Sequence, residues 1–313
     1  MPHKEKILII GSGPAGYTAA IYAARAGLAP LLISGLEPGG QLTITTEVEN
    51  FPGFENPIQG PWLMEQMKKQ AETYGTRILN DYVKSVDFQA KTHKILTEKS
   101  EFESHTVVIA TGAKAKWLGV DGEEKYRGFG VSACATCDGF FFKNKIVAVA
   151  GGGNTAVEEA LFLSNLCSKV ILIHRRDNLR AEKILQKRLF EKDNIEFLWD
   201  SNVKKIQGDI DKKILTSLLV ENKKNSEVKE IKIDGFFVAI GHSPTTDIFK
   251  KELEMDSDGY IITKADSTKT SIDGVFAAGD VTDRIFRQAV TAAGMGCMSA
   301  LEAENFLTKN KII

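Results

Sequence analysis

Ile7-Leu8-Ile9-Ile10-Gly11-Ser12-Gly13-Pro14-Ala15-Gly16 decides the fold of this 313-residue chain. A short apolar run ends in a glycine-rich turn. The small-residue stretch Pro14 to Ala26 comes next, and then a second apolar run, Leu31-Leu32-Ile33. That succession reads as strand, turn, helix and strand, the start of a βαβ unit. In G-x-G-x-x-G the first glycine permits a tight turn and the second lets backbone approach a pyrophosphate. The third lets helix pack on strand. The helix N-terminus then offers N–H donors and a partial positive charge to phosphates. Glu37, just past the second strand, stands where a carboxylate accepts bonds from ribose hydroxyls. Gly11, Gly13, Pro14, Ala15, Gly16 and Glu37 are therefore candidate dinucleotide contacts, the alternative being a glycine turn without ligand.

The same plan returns later. Ile146 to Ala150 reads as a strand, Gly151-Gly152-Gly153-Asn154-Thr155-Ala156 as a G-x-G-x-x-A turn, Thr155 to Leu166 as a helix and Val170 to Ile173 as the next strand. Beyond that strand the second copy departs from the first. In place of an acid stand His174-Arg175-Arg176-Asp177 and then Arg180. Planar guanidinium groups grip phosphate with two parallel bonds, whereas an acid would repel it. The expected ligand is NADPH, held by its 2′-phosphate, rather than NADH. Gly151, Gly153, Asn154, Thr155, Ala156, His174, Arg175, Arg176 and Arg180 make up this candidate site. Lys183, Lys187 and Arg188 read instead as a solvated basic face.

Two further apolar strands end in glycine, Val107 to Gly112 and Phe236 to Gly241. The simplest partition inserts a domain of residues 114–242 into one built from 1–113 and 243–313. Asp209 to Glu230 is polar and charged and suits exposed hairpin turns. Nothing local to the first loop separates FAD from NAD. A flavin dinucleotide also needs contacts at its far end, and Val275-Phe276-Ala277-Ala278-Gly279-Asp280 supplies another strand end. Asp280 there can bind a ribityl chain, and the helix after Arg287-Gln288-Ala289 can point its N-terminus at a flavin ring. An ordinary turn and helix cap explains the same residues, so position alone leaves both open.

Cys134-Ala135-Thr136-Cys137 carries the chemistry. A metal site needs further ligands, but Cys167 and Cys297 are isolated and the five histidines lack ligand spacing. A redox-active disulfide remains. Asp138 comes directly after and can act as acid or base, or as a helix N-cap. Cys167 and Cys297 read as packing residues. Charge is nearly even, 40 basic against 41 acidic residues, which argues against a general nucleic-acid surface. No apolar run approaches the ~20 residues of a membrane helix, and Met1 to Lys6 is polar. The expected setting is cytoplasmic, with no membrane and no nucleic acid as partner.

Taken together, these blocks resemble the bacterial, low-molecular-weight thioredoxin reductases over essentially the whole chain. The match rests on Gly11 to Gly16, Gly39 to Asn50 (GGQLTITTEVEN), Cys134 to Asp138 (CATCD), Gly151 to Ala156 (GGGNTA), His174 to Lys183 (HRRDNLRAEK) and Gly279 to Ala289 (GDVTDRIFRQA). No motif residue departs from the pattern. The resemblance implies an α/β protein of two Rossmann-like, three-layer domains, the NADPH domain inserted into the FAD domain. It implies a homodimer that passes hydride from NADPH to FAD, then electrons to the Cys134/Cys137 disulfide and on to thioredoxin, with rotation between the domains. Cys137 would be the thiol nearer the flavin, Cys134 would attack thioredoxin, and Asp138 would handle protons. Gly40, Gln41, Thr45 and Asn50 would line the flavin site, with Gly279, Asp280, Arg287, Gln288 and Ala289. A dithiol oxidase or a non-catalytic NADPH-binding redox sensor on the same fold are the rival expectations.

Overall fold

Alternation along the first strand shows how the core is assembled. The structure is a computed structural model and describes residues 2–44, 47–90, 92–209 and 211–313. In strand His3–Ile10, Ile7 and Ile9 point to one face, against Ala19, Ala23, Ala300 and Ala303 of helices Pro14–Arg25 and Ala289–Lys309. Leu8 and Ile10 point to the other face, against Phe249, Leu253 and Val275. Side chains of a strand alternate with a period of two, so a strand covered on both faces must be apolar throughout. Val107, Val108 and Ile109, in the neighbouring strand Glu101–Ile109, are likewise fully buried.

The described chain divides into two compact units, 1–114 with 243–313, and 115–242. In the first unit the parallel order is Arg77–Leu79, Leu31–Ile33, His3–Ile10, Glu101–Ile109. Strand Val275–Ala277 continues it in parallel beside Val107 to Ile109. The other half of Glu101–Ile109 pairs antiparallel with His93–Thr97, which pairs with Val83–Asp87. One long strand thus joins a parallel sheet to an antiparallel meander. Ala113–Ala115 and His242–Pro244, where the chain leaves and re-enters this unit, form a two-stranded ribbon.

The second unit carries a five-stranded parallel sheet. Its order is Val131–Ser132, Gly235–Val238, Ile146–Ala150, Lys169–Ile173, Ile195–Leu198. Alternation sorts its core as before: Val147 and Val149 face Ala156, Val157, Ala160 and Leu163, while Ala148 and Ala150 face Leu218 and Val220. Those last two belong to an antiparallel sheet of Ser201–Asp209, Ile214–Asn222 and Val228–Lys232. The sequence expectation of exposed turns over Asp209 to Glu230 is therefore only partly right. Leu215, Leu218 and Val220 are buried, and the charges that hide this pattern lie on the outer strand and the turns. Among the described residues no helix is long and apolar enough to cross a membrane.

Candidate functional site

Both glycine loops sit at the C-terminal edge of a parallel sheet, between the first strand of a βαβ unit and its helix. In the first, Gly11 has φ of +108°, and a Cβ there would lie 2.2 Å from the Ala110 carbonyl oxygen. Its N–H donates to the Ile33 oxygen (2.9 Å), tying the loop to the neighbouring strand. A Cβ on Gly16 would lie 2.0 Å from the Gly11 oxygen, so helix Pro14–Arg25 rests directly on the turn. Gly13 has open space where a Cβ would go. It caps a helix whose first turn has Pro14 and Ala15 but no side-chain cap and no acid. Such an end leaves N–H donors and positive potential for an anion.

Other parts of the first unit converge on this loop. Ser12 Oγ donates to the Ser34 oxygen (2.7 Å) and accepts from the Gly39 N–H (2.9 Å), drawing the next segment over the turn. A Cβ on Gly40 would lie 3.4 Å from the Gly13 Cα, and one on Gly279 would lie 3.0 Å from the Ala15 Cβ. Asn50 Nδ2 meets Gln288 Oε1 at 3.4 Å. Gln288 caps helix Ala289–Lys309 in a reciprocal bond with Thr291, and Ala289 is the first helical residue. Arg287 takes a φ of +50°. Asp283 holds that conformation, accepting the N–H groups of Ile285, Phe286 and Arg287 at 2.9, 2.9 and 3.0 Å. Burial pushes the Asp280 carboxyl up to about 7; the Asp283 carboxylate adds to the shift and Arg287 opposes it. Glu37 is exposed and pairs with Lys114 at 3.4 Å, and Gln41 is exposed as well. Thr45 lies outside the described residues.

The second loop repeats the backbone plan with different side chains. Gly151 has φ of +155°; a Cβ there would lie 2.4 Å from the Ala239 oxygen and 2.6 Å from the Ala156 Cβ. Its N–H donates to the Ile173 oxygen at 3.1 Å. Gly153 is open in the same sense as Gly13 and caps helix Asn154–Ser164, again without a side-chain cap. Asn154 Oδ1 accepts the Glu182 N–H (2.9 Å) and its Nδ2 donates to the Glu182 carboxylate (3.2 Å). Thr155 is half-buried and Ala156 fully buried. Arg175, Arg176 and Arg180 are all exposed. None of the three pairs with a carboxylate among the described residues. His174 is placed differently from its neighbours: it is 5% exposed and packed against the loop itself.

Cys134 and Cys137 form a disulfide spanning one helical turn, Ala135–Asp138. Cys134 is half-buried and Cys137 exposed. Ser132 Oγ accepts the Cys134 N–H at 3.0 Å, and Thr136 Oγ1 lies 3.4 Å from the Cys134 sulfur. Burial raises the Asp138 carboxyl above the usual carboxylate range, with the Ser132 hydroxyl opposing. The capping alternative for Asp138 is not realised, because its side chain makes no cap bond to Gly139–Phe142. Cys167 is buried, its thiol pushed up to about 11 by burial and by Asp234; Cys297 is half-buried. Among the described residues no three His, Cys, Asp or Glu side chains are grouped to hold a metal.

Ser12, Ser132, Gly152 and Asp283 carry geometry that sequence reasoning missed. Only Asp283 had a local signal, being a carboxylate just ahead of exposed backbone N–H groups. Ser132 acts on its near neighbours Cys134 and Asp138 only because a local turn brings them together, Ser12 acts through partners distant in sequence, and Gly152 matters through a ring that needs room.

Known proteins share this arrangement. Residues 5–296 match the family model described as pyridine nucleotide-disulphide oxidoreductase. A thioredoxin reductase of Rickettsia conorii is 58% identical over 305 residues, covering 97% of this chain and 98% of that protein. One from Escherichia coli O157:H7 is 53% identical, covering 97% and 96%. The crystal structure of thioredoxin reductase from Streptococcus pyogenes superposes with a TM-score of 0.93 at 43% identity, covering 99% of this chain and all of that one. The chain belongs to the pyridine nucleotide-disulphide oxidoreductase family, among its thioredoxin reductases.

Proposed function

We propose that this chain reduces the disulfide of thioredoxin with NADPH as electron donor and FAD as resident cofactor, as a cytoplasmic homodimer. The observation that carries the proposal is the Cys134–Cys137 disulfide beside a half-buried Asp138 whose carboxyl is raised by burial. Gly11, Gly13 and Gly16 leave the room and the N–H donors that a pyrophosphate needs, and the Asp280 carboxyl suits sugar-chain hydroxyls. FAD therefore fits the first unit. NADPH fits the second, where Gly153 is open and three guanidinium groups without carboxylate partners among the described residues lie beyond the strand. When bound, FAD supplies a redox centre that accepts hydride from NADPH and yields electron pairs to disulfides.

The chain's own residues carry the thiol chemistry. The Cys134–Cys137 bond opens on taking up two electrons and two protons. Cys134, as thiolate, attacks one sulfur of the thioredoxin disulfide; a mixed disulfide forms and one thioredoxin thiolate leaves. Cys137 attacks the Cys134 sulfur, re-forming the original bond and releasing the second thiolate. Burial disfavours the charged form of Asp138 and raises its carboxyl above the usual carboxylate range, which suits it to protonate a leaving thiolate and take the proton back. The cysteines belong to 115–242 and the FAD contacts to the other unit. The proposal therefore includes rotation about the joins near Ala113–Lys116 and Gly241–Pro244.

The test is NADPH oxidation measured with and without thioredoxin, beside the visible flavin spectrum. Steady consumption that requires thioredoxin is expected, whereas a redox sensor would show none and a dithiol oxidase would need no NADPH. In Cys134→Ser, NADPH should still bleach the flavin while thioredoxin turnover disappears. Normal turnover in that variant overturns the division of roles between the two cysteines.

A further inference from the structure

The two sulfurs of the disulfide have unlike surroundings. Thr136 Oγ1 lies 3.4 Å from the Cys134 sulfur. A disulfide sulfur carries no proton, so the hydroxyl is the donor in that contact. Among the described residues no side-chain donor stands within hydrogen-bond distance of the Cys137 sulfur.

Backbone bonds keep the Thr136 contact in place. Ser132 Oγ accepts the Cys134 N–H at 3.0 Å. The Cys134 oxygen accepts the N–H groups of Cys137 (3.2 Å) and Asp138 (3.1 Å). Cys134 is thus held through both of its peptide groups, and Ala135 beside it is fully buried in the core of this unit. None of these bonds uses the disulfide, so the Cys134 sulfur and the Thr136 hydroxyl stay neighbours when it opens.

We propose that Thr136 is a catalytic residue whose hydroxyl donates to the Cys134 thiolate and makes that sulfur the readier of the two to ionise. The proposal rests on the reading that Cys134 attacks thioredoxin. A hydrogen bond to the charged form of a thiol favours that form. The charged groups around the turn push the other way. Asp138 ends it, and helix Asn154–Ser164, which packs on it, carries Glu158 and Glu159; Val131–Ser132 and Gly139–Phe142 carry no charge. All three are acids, which disfavour a nearby thiolate whenever they are ionised. A hydroxyl donor offsets them without adding a charge.

In the exchange, Cys134 loses its proton to water and attacks one sulfur of the substrate disulfide. The new S–S bond forms as the substrate's own S–S bond breaks. The departing sulfur keeps the electron pair and takes up a proton from water or Asp138. Thr136 keeps its proton throughout, and its bond to the sulfur weakens as the negative charge passes to the leaving group.

The experiment reads the Cys134 thiol directly. In a Cys137→Ser background, mixed-disulfide formation with hydroxyethyl disulfide, a small neutral probe, is followed against pH. Peptide mass mapping separates Cys134 from Cys167 and Cys297. Thr136→Val keeps the branched shape and removes the hydroxyl, whereas Thr136→Ser keeps the hydroxyl. Thr136 is exposed, so both variants should fold. Thr136→Val should raise the apparent pKa of Cys134 by about half a unit to one unit, as expected for a partly solvated bond to a charge. Thr136→Ser should stay near the parent.

A more basic thiolate is scarcer but also a better nucleophile, with a sensitivity of about 0.4–0.5. Below the parent's pKa, Thr136→Val should therefore react about two- to threefold more slowly, and above its own pKa faster by a similar factor. A merely structural loss would slow both ends. In the chain with both cysteines, kcat/KM for thioredoxin below that pKa should also fall about two- to threefold.

An unchanged pKa in Thr136→Val, a shift that Thr136→Ser repeats, or slower reaction on both sides of the pKa would overturn the role of Thr136, whatever thioredoxin does. A shifted pKa with unchanged kcat/KM would show that Cys134 is not the sulfur that attacks thioredoxin. That outcome rejects the underlying reading, and the catalytic role of Thr136 with it.

Discussion

Two glycine loops on one backbone plan, 11–16 and 151–156, are specialised by the residues around them. Their shared features are those that only glycine permits: Gly11 and Gly151 both have positive φ and a carbonyl within 2.4 Å of any Cβ. Their differences lie in charge and in what fills the middle position. After its second strand the first loop has Glu37, paired with Lys114; the second has three arginines, with no ion pair for them among the described residues. The first is tied down by hydroxyl bonds from Ser12, the second by the His174 ring. The third small residue is Gly16 in one and Ala156 in the other. Gly16 must be glycine because the Gly11 oxygen would lie 2.0 Å from a Cβ, while the Ala156 methyl packs in the second loop at Gly151. Backbone requirements are thus common to both loops, and ligand choice is a matter of side chains.

The severest way to break the comparison is at the position where the loops agree. Gly11→Ala puts an L side chain into left-handed backbone and drives its Cβ into the Ala110 oxygen. We expect a loss of about 3 kcal/mol or more, from backbone strain plus the steric clash. Flavin content per chain and the melting of the first unit measure it. A variant that keeps full flavin and an unshifted midpoint would show that the turn relaxes easily, and close approach would not be what requires glycine there.

Much of this was legible in the sequence because it depends on local pattern. A glycine that needs positive φ, an apolar run between turns and a guanidinium where an acid is usual all show themselves within a few residues. The arginines illustrate this: their meaning comes from their place just after the strand Lys169–Ile173. Contacts between distant residues were not legible. Gly152 reads as one of three identical glycines until the His174 ring is seen on it. His174 reads as a ligand because it adjoins Arg175; that its ring also lies on the Gly152 backbone is a contact the sequence does not announce. Asp138 precedes a helical segment and looks like its cap, but burial and Ser132 orient its carboxyl elsewhere. In Ile214–Asn222, an extra residue at Thr216 breaks the register and leaves Ser217 and Leu218 both buried, which blurs the alternation that would have announced the strand.

A middle-sized effect separates the loops by pH. The second loop has no counterpart of Asp280, whose carboxyl is pushed up to about 7. Its unfolded value is about 3.9. The folded chain therefore binds the proton more tightly than the unfolded chain, and stability of the FAD-free protein falls as pH rises from about 4 to about 7, then levels off. Asp280→Asn keeps the shape and removes the charge. Without FAD it should be more stable than the parent at pH 8 by about 2 kcal/mol, discounted for partial exposure. At pH 4 the two should match. Denaturant midpoints at both pH values measure this; equal gains at pH 4 and pH 8 would mean that the effect is not the carboxylate's charge.

The finest distinction concerns Ser12, whose hydroxyl does in the first loop what an imidazole does in the second. Ser12→Ala leaves the Gly39 N–H without an acceptor and the Ser34 oxygen without a donor, both in buried surroundings. Two neutral bonds are lost, but the small methyl and loop adjustment recover part of the cost, so about 1 kcal/mol is expected. For a unit of this size that is a fall of about 2–4 °C in melting midpoint. The more telling readout is the cofactor. Ser12 helps to hold Gly39 and Gly40 over the Gly13 turn, so FAD should dissociate faster than in the parent, whereas NADPH affinity should not move. A Ser12→Gly variant makes the first loop match the second at this position, but without a histidine to fill the gap. It should be worse than Ser12→Ala, because glycine adds backbone freedom to the unfolded chain and leaves a space. If Ser12→Gly instead equals the parent in midpoint and flavin release, the hydroxyl is incidental and the first loop holds itself by backbone alone.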